Sequence, residues 1–373
     1  MLSIKRVFTQ KDQDVFSTVN WVRVNSVIKD PSGKIIFELK DVEFPDFYSQ
    51  NSIDIISSKY FLSGRETSFR ELIHRVVSTI TNWGCDQGYF SQGDENASAF
   101  YSELSYMILH QMFSFNSPTY FNVGNPKAEP QVSACFILSA EDNLDNIAEN
   151  VVNEIKIFSR GSGAGSNRSN LRSSRELISN GGSPSGPCAF MSIYDKSAKV
   201  IKSGGITRRA AKMESLNIDH GDIHQFIWQK TKEEQKAKAL VDAGWPSNYD
   251  DSESAYNTVM FQSSNQSIGV FCRFMKAYLK KELWGLLERY PSSLSSLIKQ
   301  DLHDNKLKKI FLSQGLFVEY NEEFFLVHDS DSFYKVIEWE FASSLLSDAA
   351  KCAWASGDPG LQFLDIINKW HTC

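Results

Sequence analysis

Residues 132–165, VSACFILSAEDNLDNIAENVVNEIKIFSRGSGAG, contain one complete change of hydrophobic period. Residues 132–138 form a short apolar run of strand length. Asp142 or Asn143 then offers a helix cap, and Leu144, Ile147, Val151, Ile155 and Phe158 recur at helical spacing. Glycines at 161, 163 and 165 end that helix, and a second strand candidate follows at 213–218. Strands alternating with helices and Gly/Ser-rich loops predict an α/β fold that carries functional loops at its strand ends.

Upstream the texture differs. Residues 22–28 and 34–39 flank the turn signal Asp30-Pro-Ser-Gly33, which predicts a hairpin. Leu72, Ile73, Val76, Val77 and Ile80 predict a helix ending at Gly84. A second helix is expected from Glu95 to about Phe113, burying Phe100, Leu104, Met107, Ile108 and Met112. This divides the chain into an α+β module, 1–113, and a second domain, 114–373. Within the latter, about 276–345 is charge-rich and reads as a surface insertion or accessory hairpin. Ser356-Gly-Asp-Pro-Gly360 reads as a sharp turn.

A formal charge of −6 gives no overall attraction to nucleic acid or anionic membrane, and no apolar stretch approaches bilayer length. The six cysteines, 85, 135, 188, 272, 352 and 373, form no C-x-x-C pair and no zinc spacing. The expectation is a cytoplasmic protein with reduced thiols and no metal. Asp219-His-Gly-Asp-Ile-His224 reads as a helix-entry turn, because no third ligand accompanies His220 and Asp222.

Three constellations can carry chemistry. The first is Asn116-Ser-Pro-Thr-Tyr-Phe-Asn-Val-Gly124 followed by Gln131-Val-Ser-Ala-Cys-Phe136. Ser117 precedes a proline, which favours an extended backbone and a free hydroxyl. Cys135 in a strand is either a packed small hydrophobe or a thiol facing a pocket. The second is Arg160-Gly-Ser-Gly-Ala-Gly-Ser-Asn-Arg-Ser-Asn-Leu-Arg172. It matches neither the dinucleotide fingerprint nor a P-loop, and reads as a flexible turn or an anion-approaching loop. The third, Lys202-Ser-Gly-Gly-Ile-Thr-Arg-Arg-Ala-Ala-Lys-Met213, is a solvated basic loop or a phosphate clamp.

Taken together, with Val42-Glu-Phe-Pro-Asp-Phe-Tyr48 and Ser58-Lys-Tyr-Phe61 upstream, the three resemble the catalytic subunit of ribonucleotide reductases, specifically the adenosylcobalamin-dependent class II. The resemblance covers residues 1 to about 275 and about 346 to 373. It implies an N-terminal module followed by the first half of a ten-stranded α/β barrel. It implies that Ser117, Ala134, Cys135 and Gly163 hold the ribonucleotide, and that Cys135 is one redox-active half of a catalytic disulfide. Asp142, Asn143, Leu144 and Arg172 match the site for a deoxynucleoside triphosphate or ATP effector. Ser203, Gly204, Gly205, Thr207 and Arg208 match the loop that relays effector identity to substrate.

The implied reaction replaces the 2′-hydroxyl of a ribonucleotide, a diphosphate, with hydrogen for DNA synthesis. Cobalamin-derived radical chemistry and a thioredoxin-type reductant drive it. The text ends at Lys369-Trp-His-Thr-Cys373, ahead of the family's radical-bearing finger loop. The expectation is therefore a chain that needs a complementary C-terminal half or second chain, possesses little of the cobalamin surface, can form a homodimer, and is inactive alone. A non-catalytic regulatory remnant retaining the effector site is the competing expectation. Gly269 stands where the family pattern carries a basic residue.

Overall fold

The computed structural model describes residues 2–29, 33–127, 129, 131–176, 181–201, 211–248 and 253–371. They belong to two compact units, Met1–Ala134 and Cys135–Cys373. The units divide after Ala134, whereas the sequence reading placed its limit after Phe113.

In the first unit, β1 (Trp21–Lys29) and β2 (Ile35–Pro45) pair antiparallel, from Trp21 opposite Pro45 to Lys29 opposite Ile35. Helices α1 (Gln50–Lys59), α2 (Phe69–Asp86), α3 (Glu95–Leu109) and α4 (Ser117–Asn122) complete it. A capping box starts α2: the Ser68 hydroxyl accepts from the Arg70 N–H, while the Glu71 carboxylate accepts from the Ser68 N–H. Its stripe of Leu72, Ile73, Val76 and Val77 is buried in a core with Phe44 and Phe69. α3 stops earlier than expected because Gln111 takes a left-handed φ of 58°, which leaves Met112 exposed.

The second unit begins β3 (Cys135–Leu138), α5 (Leu144–Ser159), β4 (Gly163–Asn167), α6 (Pro187–Val200), β5 (Lys212–Asn217), α7 (Ile223–Asp242), α8 (Ala255–Thr258), β6 (Ser264–Val270) and α9 (Cys272–Lys280). It continues β7 (Leu283–Leu287), α10 (Ser295–His303), β8 (Lys308–Leu312), β9 (Gly315–Tyr320), β10 (Glu323–Val327) and β11 (Phe333–Phe341). It ends α11 (Ala342–Ser356), β12 (Gly360–Phe363) and α12 (Leu364–Trp370). Five strands form an all-parallel sheet in the order β12-β6-β5-β4-β3, a curled half-barrel. The fold is α/β with an incomplete barrel, as the sequence predicted.

Strand alternation separates two faces. Leu138, Ala164, Leu216, Ile268 and Val270 point into helix-packed cores containing Phe158, Met191 and Phe226. The opposite row holds Cys135, Ile137, Gly163, Gly165, Met213 and Asn265, of which Cys135, Ile137 and Asn265 are exposed. Parallel strands normally bury both faces. Here one face is open.

The segment expected as an insertion or hairpin is larger than that. It builds a five-stranded antiparallel sheet, β7-β11-β10-β9-β8, with small cores around Phe317 and Phe325. Trp284 and Leu286 of β7 enter the main core of the unit. Charged residues interrupt its apolar runs, so the buried positions escaped a reading by hydrophobic density.

Candidate functional site

Cys135 opens β3 directly opposite Gly163 on β4, exposed on the uncovered face. Glycine is required at 163 because a Cβ there would lie 2.7 Å from the Ala211 carbonyl oxygen. That oxygen accepts from the Ala164 N–H at 3.0 Å, so β4 and the entry to β5 are pressed together beside the thiol. Ser117 and Ala134 belong to the first unit. Ser117 is not the extended, free hydroxyl expected: it opens α4, with Asn116 as cap, and its Oγ lies 3.0 Å from the Tyr60 hydroxyl. Pro118 fits the first turn of that helix, where its missing N–H costs nothing.

The other cysteines differ from Cys135. Cys188 and Cys352 are buried in the main core, and burial pushes both thiols up. Cys272 is exposed, and its hydrogen bond to Asp365 raises it. Among the described residues every cysteine is a free thiol.

The expected effector residues gather at the carboxyl end of β3. Asn143 caps α5, accepting from the Asn146 N–H at 2.9 Å. The Arg172 Nε–H donates to the Asp142 carboxylate, and this hydrogen bond holds the guanidinium above its usual range. Leu144 is exposed at the first helical position. The Arg172 guanidinium also lies 5.6 Å from the centre of the Tyr290 ring. Burial, then the Asp142 charge, raises the Tyr290 phenol. Sequence reading missed Tyr290, because nothing local marks a tyrosine so distant in the chain. Ser203, Gly204, Gly205, Thr207 and Arg208 lie outside the described residues.

A fully buried charge quartet links α5 to β5 and to Arg168 just after β4. Arg168 reaches Glu154 at 2.9 Å and Glu214 at 2.8 Å, and Lys212 contacts Glu214 at 2.9 Å and also pairs with Glu154. Arg168 stacks 3.8 Å over the Tyr194 ring and donates to Asn150. Burial pushes Glu154 up against the pull of Lys212. Four charges that cancel pairwise are tolerable in such a setting; three are not.

The Asp219–His224 stretch is a helix entry, as expected. Asp222 occupies the cap position of α7, and its carboxylate accepts from Ser173 and Ser174. His220 is fully buried; its Nδ1 accepts from the Asp222 N–H at 3.0 Å, so Nε2 carries the proton toward the Leu171 carbonyl at 2.8 Å. Burial lowers its pKa to about 4. The unfolded imidazole titrates near 6.5, so the unfolded chain takes up this proton first. The contribution is fully present above about pH 6.5 and is lost as pH falls toward 4, by about 3 kcal/mol in all. His220→Gln is expected to remove that part of the slope in urea titrations from about pH 7 to 4. Parallel slopes for the two proteins would contradict it.

Among the described residues, His224, Glu338 and Glu340 bring ligand atoms within 4.8 Å of one another. Arg175 already holds Glu338, and His224 Nε2 lies 3.4 Å from Glu340, so the group braces α7 against β11. No helix among the described residues is long and apolar enough to cross a membrane.

Comparison with known proteins agrees with this architecture. Residues 133–373 match the family described as ribonucleotide reductase, barrel domain. Residues 22–64 and 62–111 match class II vitamin B12-dependent ribonucleotide reductase. A vitamin B12-dependent ribonucleotide reductase of Streptomyces avermitilis is 41% identical over 100% of this chain and 34% of its own length. The Rhodopirellula baltica protein of the same name is 38% identical over 96% of this chain and 34% of its own. A vitamin B12-dependent ribonucleoside-diphosphate reductase of Thermoplasma acidophilum is 41% identical over 61% of this chain and 32% of its own. The chain thus spans about a third of the length of these relatives. With a half-barrel of parallel strands matched to the barrel domain and the preceding module matched to class II, the chain belongs to the class II vitamin B12-dependent ribonucleotide reductase family.

Proposed function

We propose that this chain supplies the substrate-reducing thiol and the effector site of an adenosylcobalamin-dependent reductase that converts ribonucleoside diphosphates to deoxyribonucleotides. The observation that carries the reading is Cys135, exposed on the open face of the half-barrel and in register with Gly163. In this role its thiol and a second thiol give up two electrons and two protons, forming a disulfide as the 2′-hydroxyl leaves as water. A thioredoxin-type reductant then restores both thiols. Ser117, the Ala134–Cys135 backbone and Gly163 orient the ribose.

Cobalamin, when bound, supplies the radical chemistry. The cavity of about 510 Å³ at the strand ends is of nucleotide size, and no residue here is assigned to hold the cobalamin. A further polypeptide segment completes the site.

The decisive assay incubates the chain with adenosylcobalamin, reductant, ribonucleoside diphosphate and effector, with and without a candidate partner chain. Deoxynucleotide that forms only with the partner, and not with Cys135→Ser, is the expected result. Activity retained by Cys135→Ser would remove the role. The effector site has its own test: a saturating deoxynucleoside triphosphate at about 100 times Kd is expected to stabilise the chain by about 2.7 kcal/mol. That raises Tm by several degrees, and Arg172→Ala should abolish the shift. No shift with any of the four would remove the effector reading. Ser203, Gly204, Gly205, Thr207 and Arg208 are proposed as the relay between the two ligands, since coupling requires an element that both bias.

A further inference from the structure

His224, on the first turn of α7, sits beside Glu338 and Glu340 of β11. The two glutamates are two apart on a strand, so both leave it on one face. β11 pairs with β7, Glu338 opposite Leu286 and Glu340 opposite Trp284, and Leu287 of β7 bridges to His220 at the entry of α7. Helix and strand are therefore fixed against each other by the backbone.

His224 Nε2 lies 3.4 Å from Glu340 Oε1, yet it is shielded from solvent and has no hydrogen-bond partner. A buried nitrogen left in that state is costly. The spacing suits a different bond: two ligand atoms, each about 2.1 Å from a tetrahedral zinc ion, stand about 3.4 Å apart. Glu338 offers a third atom, and all three lie within 4.8 Å of one another. Arg175 Nη1 donates to Glu338 Oε2 and approaches the Gly221 carbonyl, so it engages one of the two carboxylate oxygens. An outer hydrogen-bond partner of this kind orients a ligating carboxylate. In this group of four, two carboxylates face one guanidinium and one imidazole, a deficit of positive charge that a dication fills.

We propose that His224, Glu338 and Glu340 form a site for one divalent transition-metal ion of the zinc type, with water in the fourth position. One imidazole with two carboxylates and no sulfur suits such an ion. The site uses none of the residues assigned to substrate or effector. Its role is structural: it clips the antiparallel sheet to α7 of the half-barrel. Its ligands come from two elements far apart in the chain, so no metal spacing marks it in the sequence.

The full chain is stripped with a chelator, then titrated with zinc by calorimetry and with cobalt(II) by visible absorption. A single equivalent should bind, and cobalt should give the strong visible bands of a four-coordinate ion without sulfur-to-metal charge transfer. His224→Ala and Glu340→Gln are each expected to weaken zinc by about a hundredfold or more, above the cost of losing an outer partner. Zinc should raise Tm of the unaltered chain and not of the variants. All three side chains are partly exposed, and far-UV circular dichroism of the metal-free variants establishes that they are folded, with His224→Gln as the milder substitution. Zinc held equally by the unaltered chain and the variants would place it on other side chains and overturn the site. A sulfur charge-transfer band, or no binding by the unaltered chain, would overturn it as well.

Discussion

Arg168→Met is expected to destabilise the barrel unit by about 3–5 kcal/mol, the usual consequence of removing one partner from a buried ion pair. Glu154, Arg168, Lys212 and Glu214 are all at most 3% exposed, so water cannot screen the carboxylate left over. Total stability of a domain is about 5–15 kcal/mol, which makes this a large share. Tm should fall by roughly 10 °C. Adding Glu154→Gln to Arg168→Met leaves Lys212 with Glu214 as a neutral pair, and should recover part of the loss. Thermal and urea unfolding of the two single variants and the double variant measure this. A loss below about 1 kcal/mol for Arg168→Met would show that the quartet is not the closed charge system described.

The second large effect concerns the two open edges of the half-barrel. Among the described residues β3 and β12 each pair on one side only, so each presents an open sheet edge. Apolar side chains accompany them: Ile137 is 81% exposed and Trp370, in the helix after β12, is 77% exposed. At micromolar concentration the isolated chain is expected to form a distribution of oligomers, and a polypeptide supplying the remaining barrel strands should convert it to one defined complex. Ile137→Lys with Trp370→Glu should shift the isolated chain toward monomer. Multi-angle light scattering decides: a monodisperse monomer of the unaltered chain would refute the expectation.

Local periodicity made much of the fold legible. The stripe of Leu72, Ile73, Val76 and Val77 and the run of Cys135–Leu138 each follow one period, and each is found where that period places it. Leu144 and Met112 satisfy a helical period yet are exposed, because one sits at the first helical position and the other beyond a left-handed residue. The antiparallel sheet was legible only as an accessory hairpin, which β9 and β10 form, because its other strands bury side chains between charged neighbours, as in Phe333–Phe341. In the site, Cys135 beside Gly163 and Asp142 beside Arg172 could be anticipated from motif order. Tyr290 could not, since a long-range contact alone brings its ring beside Arg172. Gly269, unexplained by the family pattern, has a steric reason: a Cβ there would fall 2.6 Å from Asn217 Oδ1 and 2.8 Å from Leu364.

The position of β3 and β12 at opposite margins of one sheet sets how any completing segment must join. It has to zip along two seams, and once the first seam forms the second becomes an intramolecular event at high effective concentration. Joining should therefore be all-or-none. Since Cys135 opens β3, a segment that pairs along that seam would lie directly beside the thiol.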